Sequence, residues 1–146
     1  MKQYNEYYLQ HPKERKNMCY TANTGRGHYN WRMAVVFSDT QESLFTDEEL
    51  ETCKGLFINE VKVGDYELHQ EDDRFISYEQ KLELNSKAKH IMRNIKVGLE
   101  DNERKVLLKK LSECYVLGAD IEWNQMFIGD DICKVSIPTY PFDTRR

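Results

Sequence analysis

The C-terminal stretch Val135-Ser136-Ile137-Pro138-Thr139-Tyr140-Pro141-Phe142-Asp143-Thr144-Arg145-Arg146 restricts the chain more than any other. Pro138 and Pro141 each fix φ, remove a backbone donor and hold the preceding residue extended. The sequence therefore predicts a short strand over Cys133 to Ile137 that runs into a stiff extended tail. Such a tail forms no helix of its own, so Tyr140 and Phe142 need another surface to cover them. Arg145 and Arg146 then suit an acidic group or a carbonyl edge.

Upstream, short helices alternate with a few strands. Gln3 to His11 reads as a helix stopped near Pro12, and Lys16 to Asn23 as a second one ending at Gly25, where a left-handed residue is cheapest. Trp31, Met33, Val35 and Phe37 fall on one face at period two, the clearest strand. Thr46 with Glu49 forms a capping box that opens a helix through Leu50 and Cys53. Gly55 ends it, and Leu56 to Val63 supplies another strand. Residues 64–74 are charged and irregular, as an exposed loop or a continuation of that strand. A second capping box, Ser77 with Gln80, precedes Leu84, Ala88, Ile91, Met92 and Ile95 at helical spacing, up to Gly98. Asp101 is placed to cap the next helix, with Leu107, Leu108, Leu111, Cys114 and Tyr115 as its buried stripe before Gly118. Asp120 is then placed to cap a short helix, Ile121 to Ile128, with Trp123 and Phe127 on one face. Without a regular βαβ repeat, these elements predict a small α+β domain: a three-stranded sheet, several packed helices and an extended C-terminal tail.

Composition limits what such a domain does. Its 146 residues are 40% hydrophobic, enough for one domain with a real core. A net charge of −4 argues against nucleic acid as a partner. No stretch approaches the ~18 apolar residues of a membrane span, and the N-terminus lacks the apolar core of a signal peptide. A cytoplasmic protein is expected. Cys19, Cys53, Cys114 and Cys133 show no metal or redox spacing; two disulfides are arithmetically open, and buried free thiols fit the compartment better.

A search for reactive constellations returns little. No Gly-x-Ser-x-Gly elbow is present. Thr24-Gly25-Arg26-Gly27-His28 has the wrong glycine spacing for a phosphate loop or a dinucleotide fingerprint, and His28 with Arg26 reads as holding a turn. His11, His69 and His90 lie in separate segments, and Glu71-Asp72-Asp73 and Asp130-Asp131 fall where loops are expected. No catalytic residue, cofactor site or metal site is assigned. Between Cys19 and Val36, Thr21, Asn23 and Thr24 suit a helix end. Arg26 and Arg32 flank the turn, placed to anchor it to carboxylates or to carbonyls at a helix C-terminus.

This stretch resembles the linker that follows a ketosynthase in modular polyketide synthases, where tyrosine-threonine (Tyr20, Thr21), glycine-arginine (Gly25, Arg26) and an arginine-aliphatic strand (from Arg32) recur in order. Glu113 to Trp123 is similar to the helix, Gly-Ala-Asp turn and tryptophan of the same families, and Pro138-Thr139-Tyr140-Pro141-Phe142 is similar to their closing tail. The blocks cover residues 8–38, 55–63 and 103–146. With no full acyltransferase domain between Arg26 and Pro138, the arrangement resembles trans-acyltransferase synthases, whose remnant linker is called the acyltransferase docking domain or ketosynthase-flanking subdomain. Two departures stand out: Thr144 replaces a usual basic residue, and no aromatic pair follows Arg146.

The resemblance implies one linker domain over 1–146, a piece of a larger megasynthase or one side of a split module. It implies a non-catalytic adaptor that packs on the ketosynthase of its module through Tyr20, Thr21, Gly25, Arg26, Arg32, Pro138, Tyr140, Pro141, Phe142, Arg145 and Arg146. The resemblance also implies a surface open to a trans-acting acyltransferase or an acyl carrier protein, between which the sequence does not choose. The rivals are a degenerate acyltransferase with residual thioester chemistry at Cys19 or Cys53, and a protein-binding module unrelated to polyketides.

Overall fold

A computed structural model describes residues 2–38, 40–46, 48–49, 56–64, 72–95, 99–129 and 131–138. Helix α1 (Lys2–Gln10) stops before Pro12, which opens a 3-10 turn (Pro12–Glu14) leading directly into α2 (Arg15–Thr24). The two helices bury Tyr8, Met18 and Thr21. Tyr8 is fully enclosed, and its hydroxyl donates to the Gln41 carbonyl at 2.9 Å, so the buried polar atom is satisfied. Asn5 draws residues 44–45 onto the same core: its Nδ2 donates to the Phe45 carbonyl (3.2 Å) and its Oδ1 accepts from Leu44 N–H (2.9 Å). Tyr8, Met18, Leu44, Phe45 and Ile137 make up this first core.

Strand β1 (Trp31–Ala34) pairs antiparallel with β2 (Phe57–Glu60), Trp31 opposite Glu60 and Ala34 opposite Phe57. Strand β3 (Lys62–Val63) pairs parallel with β4 (Phe75–Ile76). Only Val61 separates β2 from β3, and its N–H donates to the Asn30 carbonyl on the β1 side, whereas Lys62 N–H donates to Arg74 on the β4 side. Successive residues of an extended chain present backbone groups to opposite edges. The segment 57–63 thus carries β1 on one edge and β4 on the other, and two two-stranded ladders place three chain segments side by side.

The period-two face holds only in part. Val35 and Phe37 pack on the first core, whereas Trp31 is 66% exposed and Arg32 is 8% exposed. The ladder ends at Ala34, so alternation does not carry from Trp31 through to Phe37. Arg32 is the inward residue because carbonyl partners await it, and a buried charge without them is prohibitive.

Helices α3 (Tyr78–Asn94) and α4 (Asp101–Val116) pack on each other around Ala88, Ile91, Leu111, Cys114 and Ala119, a second core flanked by Leu84, Met92, Ile95, Leu107 and Trp123. The capping box at Ser77 is formed: Ser77 Oγ accepts from Gln80 N–H at 3.1 Å and Gln80 Oε1 accepts from Ser77 N–H at 2.8 Å. Thr46 and Glu49 make the same reciprocal pair; the helix expected after them, through Leu50 and Cys53, lies outside the described residues.

Several expectations are corrected. Gly25 ends α2 at φ −102°, in right-handed geometry. Glycine is needed there because a Cβ would lie 2.8 Å from the Thr21 carbonyl oxygen. Glu100, not Asp101, holds the N-cap of α4 and makes no side-chain cap bond; Asp101 instead opens the first turn, where the helix dipole favours an acid. Asp120 caps nothing: its carboxylate pairs with Lys81 (2.8 Å) and lies 3.7 Å from Arg32. The short element after it is a 3-10 helix, Trp123–Phe127. At three residues per turn its ends point apart, so Trp123 joins the second core and Phe127 meets Tyr20 edge-on. Residues 133–137, expected as a strand, enter no ladder. Of the cysteines, Cys114 is buried, Cys19 half-buried and Cys133 exposed. Cys53 lies outside the described residues.

Candidate interaction site

Two arginines organise the region where α2, β1, the end of α4 and residues 131–138 meet. From β1, Arg32 reaches the C-terminus of α4: Nη1 donates to the carbonyls of Tyr115 (3.1 Å) and Ala119 (2.6 Å), and Nε donates to Tyr29 (3.2 Å). Its guanidinium stands 5.1 Å from the Tyr115 ring centroid. A cation at the last turn complements the helix dipole and occupies carbonyls that lack an intrahelical partner. Asn59 of β2 adds a third such contact, donating Nδ2 to the Val116 carbonyl at 3.2 Å.

Gly118 makes the turn out of α4 possible. Its φ of +118° excludes most side chains, and a Cβ would lie 2.6 Å from Ile76 Cδ1 and 3.2 Å from Val61 Cγ2. The close approach seats Ala119 in the core with its carbonyl aimed at Arg32.

Arg26, one residue past the α2 cap, closes over the C-terminal segment. Its Nη2 donates to the Ile137 and Pro138 carbonyls at 3.0 and 2.8 Å. Two further α2 side chains hold the same segment: Thr21 Oγ1 accepts from Val135 N–H (2.9 Å) and Asn17 Oδ1 accepts from Cys133 N–H (3.1 Å). Pro138 rims an open groove with Gln3, Glu6, Tyr7 and Gln10 of α1. There Tyr7 donates to Glu14 at 2.7 Å, and partial burial, then that carboxylate, push its phenol up to about 12.

His28 links the end of α2 to α4. Its Nε2 lies 3.0 Å from the Asn23 carbonyl, which only accepts, so that nitrogen is the donor there, and Nδ1 lies 2.7 Å from the Tyr115 hydroxyl. Trp123 completes a ring cluster, 5.4 Å from Tyr115 and 6.4 Å from His28. These contacts make His28 part of the turn, as its place in the sequence implies.

Of the residues expected at a partner contact, Thr21, Arg26 and Arg32 all make hydrogen bonds inside the chain. Tyr20 is half-buried against Phe127, and Gly25 and Pro138 border the Arg26 clamp. Tyr140, Pro141, Phe142, Arg145 and Arg146 lie outside the described residues. Sequence reasoning missed Asn17, whose signal was its i, i+4 spacing to Thr21 on one helix face. It also missed an outward patch on the β1–β2 ladder, where Trp31, Tyr29 (74% exposed) and Ile58 face solvent. Among the described residues no group of three His, Cys, Asp or Glu side chains is placed to hold a metal ion, and no helix is long and apolar enough to cross a membrane. Burial pushes the Cys114 thiol up, away from thiolate chemistry.

The segment that carries α1, α2, Arg26 and Arg32 is also where the chain is similar to known proteins. Residues 1–45 match the family model described as "CurL-like, PKS C-terminal", PKS denoting polyketide synthase. The N-terminal segment is similar to part of a polyketide synthase. A stretch of 39 residues, 27% of the chain, is 44% identical to polyketide synthase PksM of Bacillus subtilis (strain 168). That stretch spans 1% of the length of PksM, so the similarity concerns one small part of a very large protein. No solved structure matches the chain.

Proposed function

We propose that the chain is a non-catalytic structural adaptor of a trans-acyltransferase polyketide synthase, working in the cytoplasm. It packs on the ketosynthase of its own module and offers surface to a trans-acting acyltransferase or acyl carrier protein. The observation that carries this reading is the polyketide-synthase match over residues 1–45, taken with what that segment does in the fold. It supplies α1, α2 and Arg26, which together hold the start of the Pro138–Arg146 tail in place. A clamped exit gives Tyr140, Phe142, Arg145 and Arg146 a fixed point from which to reach a neighbouring surface.

The test is direct binding of the 146-residue chain to the ketosynthase of its module, to the free-standing acyltransferase and to the carrier protein, each separately. Micromolar binding to the ketosynthase that weakens at least tenfold in Y140A/F142A supports the adaptor role. Absence of binding to all three at high micromolar concentration sinks it. Turnover of an acyl-thioester that is lost on Cys19→Ala or Cys53→Ala would replace it with the enzymatic rival.

A further inference from the structure

Residues 131–138 are fastened to the rest of the fold by side chains of α2 and by Arg26 just past it. Among the described residues, no backbone–backbone hydrogen bond reaches them. Their attachments run instead along α2, one per turn or so: Asn17 to Cys133, Thr21 to Val135, Arg26 to Ile137 and Pro138. The Thr21 hydroxyl also donates to the Asn17 carbonyl at 2.8 Å, so its lone pair is directed at Val135 by the helix itself. Ile137 alone is buried in the segment; Cys133, Lys134 and Ser136 are exposed. The helix loses none of its own backbone bonds when the segment leaves. Separation costs a few side-chain bonds and the burial of Ile137 and Val135, and leaves the second core untouched.

We propose that residues 131–138 form a latch that docks on and leaves α2 as one unit. Docked, it completes the first core and fixes, through Arg26, the point at which the chain departs past Pro138. Undocked, each freed residue lengthens the reach of the following segment by up to ~3.5 Å. Such an element belongs to the low-stability end of a fold, opening locally while the α3–α4 unit stays closed. The inference concerns contacts within the chain and stands whatever the partner is.

Amide hydrogen exchange on the whole chain tests it. A unit predicts coupling between its ends: Arg26→Met, which removes the described bonds to Ile137 and Pro138 and none to Cys133 or Val135, speeds exchange at the Val135 and Cys133 amides by about tenfold. Thr21→Val does the same at both amides, and amides of α3 and α4 are unchanged in either variant. The latch is overturned if Arg26→Met leaves Cys133 and Val135 at their wild-type rates, since the segment then frays residue by residue. It is equally overturned if Ala88, Ile91 and Leu111 amides speed up in step, since the segment then opens only with the whole domain. Should Thr21→Val fail to fold, Arg26→Met decides alone.

Discussion

Arg32 and Ala119 stand 87 positions apart in the chain, yet Arg32 Nη1 donates to the Ala119 carbonyl at 2.6 Å, a buried contact. This bond ties the strand that leaves the first core to the turn that closes the second. The same guanidinium fork takes the Tyr115 and Tyr29 carbonyls, so a single side chain joins α2–β1, the sheet and the end of α4. Charge matters less here than donor geometry: the nearest carboxylate, on exposed Asp120, lies 3.7 Å away.

Arg32→Ala is therefore expected to lose about 2–4 kcal/mol, because it strands buried carbonyls that charge-assisted bonds had satisfied. Arg32→Lys keeps the charge without the fork and is expected to recover only part. Asp120→Asn should stay within about 0.5 kcal/mol, as exposed ion pairs do. Urea denaturation of the three variants checks the ranking, and an Asp120→Asn effect as large as Arg32→Ala would make the ion pair the stabilising element.

Gly118 and Gly129 separate backbone strain from packing. Both have positive φ, +118° and +85°, but a Cβ at Gly129 meets nothing within 4 Å, while one at Gly118 meets Ile76 and Val61. Gly129→Ala should cost about 1 kcal/mol from conformation alone. Gly118→Ala should cost roughly 2–4 kcal/mol by adding overpacking. Valine lacks the Cδ1 that the new methyl would meet, so Ile76→Val should restore much of the packing share of the Gly118→Ala loss and leave the ~1 kcal/mol due to conformation. Thermal melts of the single and double variants measure it; full rescue would place the cost in packing.

How much of this was legible in the sequence depends on the range of the interaction. The α+β class, the Ser77 capping box and the α3–α4 stripe from Leu84 to Tyr115 are local patterns, fixed by helical spacing and by residues three apart. Arg26 and Arg32 were readable as carbonyl anchors from their position at a turn, but which carbonyls they take is set by chain returning more than eighty residues later. Val135 and Ile137 alternate like a strand, and only the fold reveals that their neighbour is a helix, which offers side chains where a strand would offer a ladder. Trp31 misled for the opposite reason: its apolar character fitted the core-facing rank, and the satisfied Arg32 beside it took that place.

Capping gives the sharpest contrast between expectation and finding. Ser77 makes both bonds of its box, so Ser77→Ala should cost about 1 kcal/mol. Asp101 has no cap bond to lose, and Asp101→Ala should cost no more than the few tenths of a kcal/mol due to its charge near the α4 N-terminus. Chemical denaturation compares them; equal losses would mean that Asp101 caps α4 in solution.

Acid titration tests the network that fastens β4. Arg74 donates to both Asp72 oxygens at 2.7 Å and to Glu60 at 2.8 Å. The Asp72 carboxylate is held down to about 2, chiefly by the Arg74 hydrogen bonds. A carboxylate depressed in the folded state stabilises that state above its unfolded value of about 4. The contribution fades as pH falls from there toward 2. Carbon-detected NMR should accordingly place the Asp72 midpoint near 2 in the wild-type chain. In Arg74→Met the midpoint should return to the ordinary carboxylate range, and the stability of that variant should fall less steeply with acid over this interval. A wild-type midpoint already in the ordinary range would show that the exposed pair is not held in solution, leaving β4 fastened by its backbone bonds from Lys62 to Arg74 and from Gly64 to Ile76.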